Sequence, residues 1–268
     1  MSATNDASAR ARVDLQISDG IAWLRMNNPD RYNAMSLSMW RELASHVRTA
    51  EQDQNVRVIA VAGEGDRAFV SGADISEFAT LRDSNEQVDA YENAVNDAQN
   101  ALTSSEKPSI ALIRGVCMGG GIGIALSCDL RISASNARFR MPAARLGLGY
   151  DLAGMRRAVQ VMGYANAVDI FFSARTFDGM EAQRLGLVNR CFQVEHFDLQ
   201  ADAVLADIVT NAPLTLRAAK LALRHILCAT DASPATVERA IDDCFRSNDY
   251  REGQKAFSEK RKPVFKGH

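Results

Sequence analysis

Three adjacent glycines, Gly119, Gly120 and Gly121, stand where an apolar strand-like run gives way to an apolar helix-like run. Because glycine has no Cβ, a ligand can lie directly against the main chain at such a turn. The first N–H groups of the following helix have no intrahelical acceptor and lie at its positive end. The triplet therefore predicts a site for an oxyanion, although glycines that only relieve crowding at a tight connection would give the same pattern.

A second segment offers another backbone donor. The residues Phe69 to Ile75 follow the strand-like run Val56–Ala62 and include Gly72. Two N–H groups from separate loops that converge on one oxygen form an oxyanion hole. Taken together, the two segments predict a site that stabilises a developing negative charge.

Composition excludes several classes of protein. The 268 residues are 47% hydrophobic and carry a formal net charge of −2, which gives no basic surface for nucleic acid. The first fifteen residues lack the apolar core of a signal peptide, and no uncharged apolar run is long enough to span a membrane. We therefore expect a cytoplasmic protein that binds neither nucleic acid nor a membrane.

A metal site is not expected. The four histidines and five cysteines share no spacing typical of metal ligands, and the cysteines are too irregular for a disulfide framework. Packing or surface roles are the simpler interpretation of these side chains.

Strand-like and helix-like segments alternate along most of the chain, which predicts α/β layers. Helices are expected near residues 38–53 and 85–104, and strands at Ser109–Ile113 and Leu130–Ala134. After about residue 200 the pattern is almost entirely helical, with segments at Leu199–Asn211, Pro213–Cys228 and Pro234–Ser247. We predict a core over residues 1–198 and a helical region over residues 199–268.

Five blocks, in this order and spacing, resemble the crotonase superfamily, also called the enoyl-CoA hydratase/isomerase family. The resemblance covers nearly the whole chain. The blocks are Asn28-Pro29 with Asn33-Ala34-Met35, Ser71 to Ile75, Gly115 to Asp129, Ala182 to Val188, and Glu252-Gly253 with Ala256-Phe257 and Glu259-Lys260-Arg261.

The resemblance implies an α/β spiral core whose helical tail makes contacts in a homotrimer or in a hexamer of two trimers. It also implies that the Ala73 and Gly120 N–H groups polarise the thioester carbonyl of an acyl-CoA substrate and stabilise its enolate. CoA would be part of the substrate, so no separate cofactor is expected.

If the ligand is a CoA thioester, its phosphates need cations, and candidates lie at both ends of the chain; a solvated surface charge is the alternative role of Arg31 and Lys260. Arg31 and the residues Ala73, Asp74 and Ile75 are the candidates near the start. Phe257 and Lys260 lie in a block that resembles the family's CoA-contacting tail, which sometimes comes from a neighbouring subunit. Asp74 has a simpler structural role as the cap of a helix that begins near Ile75.

The sequence departs from the family's hydratases at two positions. Hydratases use two glutamates to add water to an enoyl thioester, and the matching positions here are Gly123 and Ala143. Neither side chain can transfer a proton, so the usual hydratase mechanism does not carry over.

One carboxylate, Asp151, remains close by in sequence. It matches an aspartate that serves as proton carrier or nucleophile in the family's dienoyl-CoA isomerases and in its 4-chlorobenzoyl-CoA dehalogenase. The alternative role is N-cap of a helix that begins near Leu152. Tyr150 and Arg145 are secondary candidates, as an orienting group and as a group that lowers the carboxylate's pKa; packing and surface charge are their simpler roles.

A single base can move a proton from one carbon to another, so double-bond isomerisation is the reaction that the residues favour. Three alternatives stay open. They are a hydratase with non-standard acid and base groups, a thioester hydrolase or dehalogenase with Asp151 as nucleophile, and an acyl-CoA binding protein without catalytic activity.

Overall fold

The computed structural model describes residues 11–74, 77 and 85–268. The strands are β1 (Arg12–Ser18), β2 (Ile21–Asn27), β3 (Val58–Gly63), β4 (Ala68–Val70), β5 (Ser109–Ile113), β6 (Val116–Met118), β7 (Leu130–Ala134), β8 (Arg138–Arg140), β9 (Thr176–Asp178) and β10 (Arg190–Phe192). The helices are α1 (Leu37–Gln52), α2 (Asn85–Ser104), α3 (Gly120–Ser127), α4 (Ala143–Leu146), α5 (Leu152–Ser173), α6 (Gly179–Arg184), α7 (Phe197–Val209), α8 (Pro213–Ile226), α9 (Pro234–Arg246) and α10 (Asn248–Ser258).

The larger sheet has six strands in the order β1-β2-β3-β5-β7-β10. Only the β1/β2 pair is antiparallel within it. The central strand β5 is buried along its whole length, as expected of a parallel strand covered on both faces. The strand β2, next to the edge, alternates between buried and partly exposed residues.

The smaller sheet has four strands in the order β4-β6-β8-β9. From β3 to β8 the chain enters the two sheets in turn, so each strand of the larger sheet is followed by one of the smaller sheet. The helices α2 and α3 connect a strand of the smaller sheet to the next strand of the larger sheet. This repetition produces the spiral that the family resemblance implies and confirms the expected α/β fold with its helical C-terminal region.

Two apolar cores lie on opposite faces of the larger sheet. Ile59 and Val61 of β3 contribute to the main core, which also contains Phe69, Phe139 and the buried face of α1. Val58 and Ala60, which alternate with them, contribute to a second core covered by α7. The strand's period of two therefore buries both of its faces.

The helical region begins with α7, whose Phe197, Ala201, Val204 and Leu205 fill the second core. The proposed division between residues 198 and 199 falls in the first turn of this helix. The structure adds α10 to the predicted helices, and α5 continues across Gly163, where the backbone is non-helical. Among the described residues, no helix has the length and apolarity needed to cross a membrane.

Asn33 connects the β2–α1 segment to the turn before β4. Its side-chain amide donates to the Glu64 and Ala68 carbonyl oxygens at 3.0 and 2.7 Å, and its Oδ1 accepts from the Asn28 N–H at 3.0 Å. The residue is 1% exposed and its φ is 56°, a left-handed conformation that asparagine tolerates better than most residues. One side chain thus satisfies three backbone groups, of which the Ala68 carbonyl is buried.

We expect Asn33→Ala to lower the free energy of unfolding by about 2–3 kcal/mol, because it leaves the buried Ala68 carbonyl and two partly buried backbone groups without this partner. Urea denaturation monitored by circular dichroism measures the change. Asn55→Ala, at an exposed position in a turn, is the matched control and should cost less than about 0.5 kcal/mol. Equal effects of the two substitutions would contradict the role given to Asn33.

Candidate active site

The parallel pairing of β4 with β6 brings the two predicted donor loops together. Ala68 pairs with Val116 and Val70 with Cys117, so both strands end at the same edge of the smaller sheet. The chain leaves β4 into Gly72 and Ala73, and leaves β6 into Gly119 and Gly120. A Cβ built on Gly119 would lie 4.0 Å from Gly72 Cα, and one on Gly120 3.9 Å from the Gly72 carbonyl carbon. The two loops are therefore in contact.

The Ala73 N–H is directed away from its local β-bridge. Met35 and Ala73 form an isolated parallel bridge, in which the Met35 N–H donates to the Gly72 carbonyl and the Asp74 N–H donates to the Met35 carbonyl. Such a bridge uses the groups flanking Ala73, so its own N–H points to the other side. Within the described part of the chain, that N–H has no acceptor.

The Gly120 N–H belongs to the first turn of α3, where helical N–H groups have no intrahelical acceptor. Gly119, the residue before the helix, has a φ of 50°, which L residues with side chains rarely adopt. Its own N–H is already used, donating to the Arg140 carbonyl at 3.1 Å. Gly120 therefore presents a donor at the positive end of the helix, and both it and Ala73 are only partly buried.

Trp40 of α1 supports both loops. Its indole N–H donates to the Tyr91 hydroxyl at 2.9 Å, and that hydroxyl donates to the Met35 carbonyl at 3.2 Å, beside the Ala73 bridge. A Cβ on Gly120 would lie 3.1 Å from Trp40 Cζ2, so the indole ring packs against that residue. Sequence reasoning missed Trp40, since on the sequence it is only one apolar residue of an amphipathic helix.

Arg31 and Asp74, both proposed CoA contacts, form an ion pair with an N–O distance of 2.8 Å. Asp74 is buried, whereas about half of the Arg31 side chain is exposed. The pair fixes the residue that follows Ala73. Ile75, together with the start of the helix that Asp74 was expected to cap, lies outside the described residues.

Phe257 and Lys260 lie at the C-terminal end of the chain, in α10 and in the turn after it. Phe257 is 88% exposed, and Lys260 is exposed as well. In the described residues, no hydrogen bond or ion pair joins either to the Ala73 or Gly120 loop. Their CoA role therefore remains a prediction, and any contribution from a neighbouring copy would require an oligomer.

Other side chains occupy the space beside Gly123, where the resemblance implies a glutamate in hydratases. Gly123 lies one helical turn after Gly120 on α3, and a Cβ there would lie 2.6 Å from Gln99 Nε2 and 3.0 Å from the Tyr150 hydroxyl oxygen. Both distances are below ordinary van der Waals contact. Any larger side chain at position 123 would displace Gln99 and Tyr150. Ala143, at the second missing position, begins the short helix α4 and is partly buried.

Two interactions define the chemical character of the groups near Gly123. The Arg157 guanidinium donates to Gln99 Oε1, so the amide nitrogen of Gln99 must face Gly123, because arginine can only donate. Burial, together with a smaller contribution from the nearby Asp151 charge, raises the pKa of the Tyr150 hydroxyl to about 12. Tyr150 is therefore a neutral hydroxyl near pH 7 and not a base.

Asp151 is the N-cap of α5. Its Oδ1 accepts from the Gly154 N–H at 2.7 Å, and the residue is exposed. The capping role weighed for it on the sequence is therefore present. Oδ2 has no hydrogen-bond donor among the described residues, so capping and proton transfer are compatible in this geometry.

Known proteins match this chain over nearly its full length. The family model described as enoyl-CoA hydratase/isomerase matches residues 16–268. The short-chain-enoyl-CoA hydratase of Clostridium acetobutylicum is 33% identical over 253 residues, covering 93% of this chain and 95% of the relative. The crotonyl-CoA hydratase of Syntrophomonas wolfei is 30% identical, with 96% and 98% coverage.

Solved structures of similar proteins have the same fold. The crystal structure of an enoyl-CoA hydratase/carnithine racemase from Magnetospirillum magneticum has a TM-score of 0.89 and 36% identity, with 96% of both chains covered. Together with the family match and the adjoining donor loops, this shows that the chain belongs to the enoyl-CoA hydratase/isomerase family of enzymes.

Proposed function

We propose that the protein shifts a carbon–carbon double bond in an acyl-CoA thioester. The observation that carries the proposal is the pair of adjoining loops in which the N–H groups of Ala73 and Gly120 have no acceptor among the described residues. Donors preorganised in this way stabilise the oxygen of an enolate more than the carbonyl oxygen of the thioester.

The absence of both hydratase glutamates favours isomerisation over hydration. Hydration needs groups that activate water and deliver a proton to carbon, and neither Gly123 nor Ala143 supplies one. The Gln99 amide and the neutral Tyr150 hydroxyl beside Gly123 are not bases either. The relatives named as hydratases support the competing interpretation, in which other groups of this chain activate water.

Asp151 is our candidate for the proton carrier. In the proposed reaction its carboxylate removes a proton from the α-carbon of a 3-enoyl thioester, and the electron pair moves into the thioester carbonyl to give a dienolate. The same carboxyl group then returns the proton to the γ-carbon. The proton is conserved and no electrons leave the substrate, so the reaction requires no cofactor.

We also propose that further copies of the chain cover its exposed apolar side chains, as in a trimer or hexamer. Leu152 and Phe172 on α5, Leu199 on α7 and Ile226 on α8 are each more than 70% exposed, and Phe257 is 88% exposed. Phe257 lines one groove with Ile241 and Phe245, and a contiguous exposed apolar surface is typical of interaction sites. A cytoplasmic location stays a prediction.

The roles of Asp151 can be separated by two substitutions. Asn caps a helix about as well as Asp but cannot transfer a proton, so Asp151→Asn should keep the free energy of unfolding within about 0.5 kcal/mol while lowering kcat by roughly 10²–10⁴-fold. Asp151→Ala should lose the same activity and also about 1 kcal/mol of stability. Turnover of 2-enoyl-, 3-enoyl- and dienoyl-CoA thioesters measures the first effect, and urea denaturation the second.

Each other outcome of that assay identifies an alternative. Undiminished turnover by Asp151→Asn would show that this carboxylate carries no proton. A 3-hydroxyacyl product from 2-enoyl-CoA would favour the hydratase, and release of free CoA the hydrolase. Tight binding of every thioester without turnover by the wild type would favour an acyl-CoA binding protein.

The occupied space beside Gly123 predicts an energetic coupling with Gln99. Gly123→Ala should lower the free energy of unfolding by about 1–3 kcal/mol, because its Cβ overlaps the Gln99 amide. In a Gln99→Ala background the same change should cost at least 1 kcal/mol less, as measured by a double-mutant cycle of urea denaturations. Additive effects would mean that Gln99 does not occupy the space of a side chain at position 123.

The molecular mass of the protein in solution tests the proposed trimer or hexamer. Light scattering coupled to size-exclusion chromatography should give about three or six times the chain mass of 29.3 kDa. A mass of one chain at micromolar concentration would contradict the proposed covering of the apolar side chains.

A further inference from the structure

A cavity of about 760 Å³ lies between the core and the helical region, and no residue of the donor loops lines it. Its walls come from the C-terminal end of α2, the first turns of α5, the helix α8 and the segment 228–232 that follows it. This volume is in the range of small-molecule sites.

Basic side chains outnumber acidic ones in the wall of the cavity. Arg217 is paired with Glu106 at 2.8 Å, and Lys220 with Asp129 at 2.8 Å. Three further lining arginines, Arg156, Arg157 and Arg224, form no ion pair within the described residues. Asp231 and Glu106 are the acidic side chains of the wall, so the positive charge is not balanced locally.

Two of these arginines are incompletely satisfied. Arg157 is 9% exposed, and Arg224 is partly buried; each donates from a terminal nitrogen to a neutral oxygen, that of the Gln99 side chain and that of the Ala229 carbonyl respectively. The Nε atoms of both are buried without a hydrogen-bond partner. Across the described residues only one other buried side-chain atom, Ser133 Oγ, shares that condition.

Unpaired buried cations are costly to a fold. Burial lowers the pKa of both guanidinium groups despite nearby carboxylates, which is the direction expected when a cation is removed from water without full compensation. Buried charges in proteins are normally paired, and an unsatisfied group often marks a bound ion. That two such arginines line one cavity indicates that its occupant carries the missing negative charge.

We propose that this cavity is a binding site for a small oxyanion, either a phosphate or a carboxylate, held by Arg156, Arg157 and Arg224. Guanidinium groups match the geometry of both anions, since their planar N–H forks pair with two oxygens at once. The Thr230 hydroxyl also lines the cavity; it accepts from the Ala232 N–H at 3.3 Å and can donate its own proton to the same ligand. The site does not depend on the proposed reaction.

Isothermal titration calorimetry of the full chain tests the site, with inorganic phosphate and glutarate as the two probes. We expect one or both to bind, and Arg156→Gln or Arg224→Gln to weaken binding roughly tenfold or more, as expected for loss of a charge-assisted hydrogen bond. Binding of phosphate alone would identify a phosphate site, and binding of glutarate alone a carboxylate site. Arg156 is exposed, so its substitution should not affect folding.

Arg190→Gln is the matched control, because it removes the same charge from an exposed position on β10 outside the cavity. It should leave the affinity within twofold of the wild type. Equal weakening by Arg190→Gln and the two cavity variants would overturn the proposal, since it would show only a response to net charge. Absence of binding by both probes would overturn it as well.

Discussion

The parallel pairing of β4 with β6 is the constraint on which the site depends. It sets the carboxyl ends of two short strands side by side, and so places Ala73 next to Gly120 although 46 residues separate them. The Met35 bridge then turns the Ala73 N–H away from its neighbours, while the start of α3 leaves the Gly120 N–H without an intrahelical acceptor. Trp40 connects the two halves through Tyr91 on one side and ring packing on the other.

Much of this architecture could be predicted from local sequence. The apolar runs at Ser109–Ile113 and Leu130–Ala134 are strands with those bounds, and the glycine triplet does mark a strand-to-helix turn. These features follow from neighbouring residues alone, because a buried parallel strand needs a continuous apolar run and a tight turn needs glycine. The spiral arrangement of the core was predicted from the resemblance of the five sequence blocks to the family.

The rest depends on contacts between residues far apart in sequence. Trp40 and Tyr91 are 51 residues apart, and nothing in the spacing of either selects it as a support for the donor loops. The filling of the Gly123 position by Gln99 and Tyr150 also appears only once α2, α3 and the turn before α5 are packed together. The family resemblance predicted that a hydratase glutamate is missing at position 123, but it could not show that other side chains occupy the space.

The proposed oxyanion hole consists of main-chain N–H groups, and this has a consequence for how such proteins diversify. A point mutation cannot delete an amide hydrogen unless it introduces proline, whereas it readily deletes a carboxylate. A lineage can therefore lose or relocate its acids and bases while it retains the capacity to hold a charged intermediate. In this chain, glycine and alanine at positions 123 and 143 stand beside intact donor loops, as expected of descent in which the electrostatic framework outlasts each particular reaction.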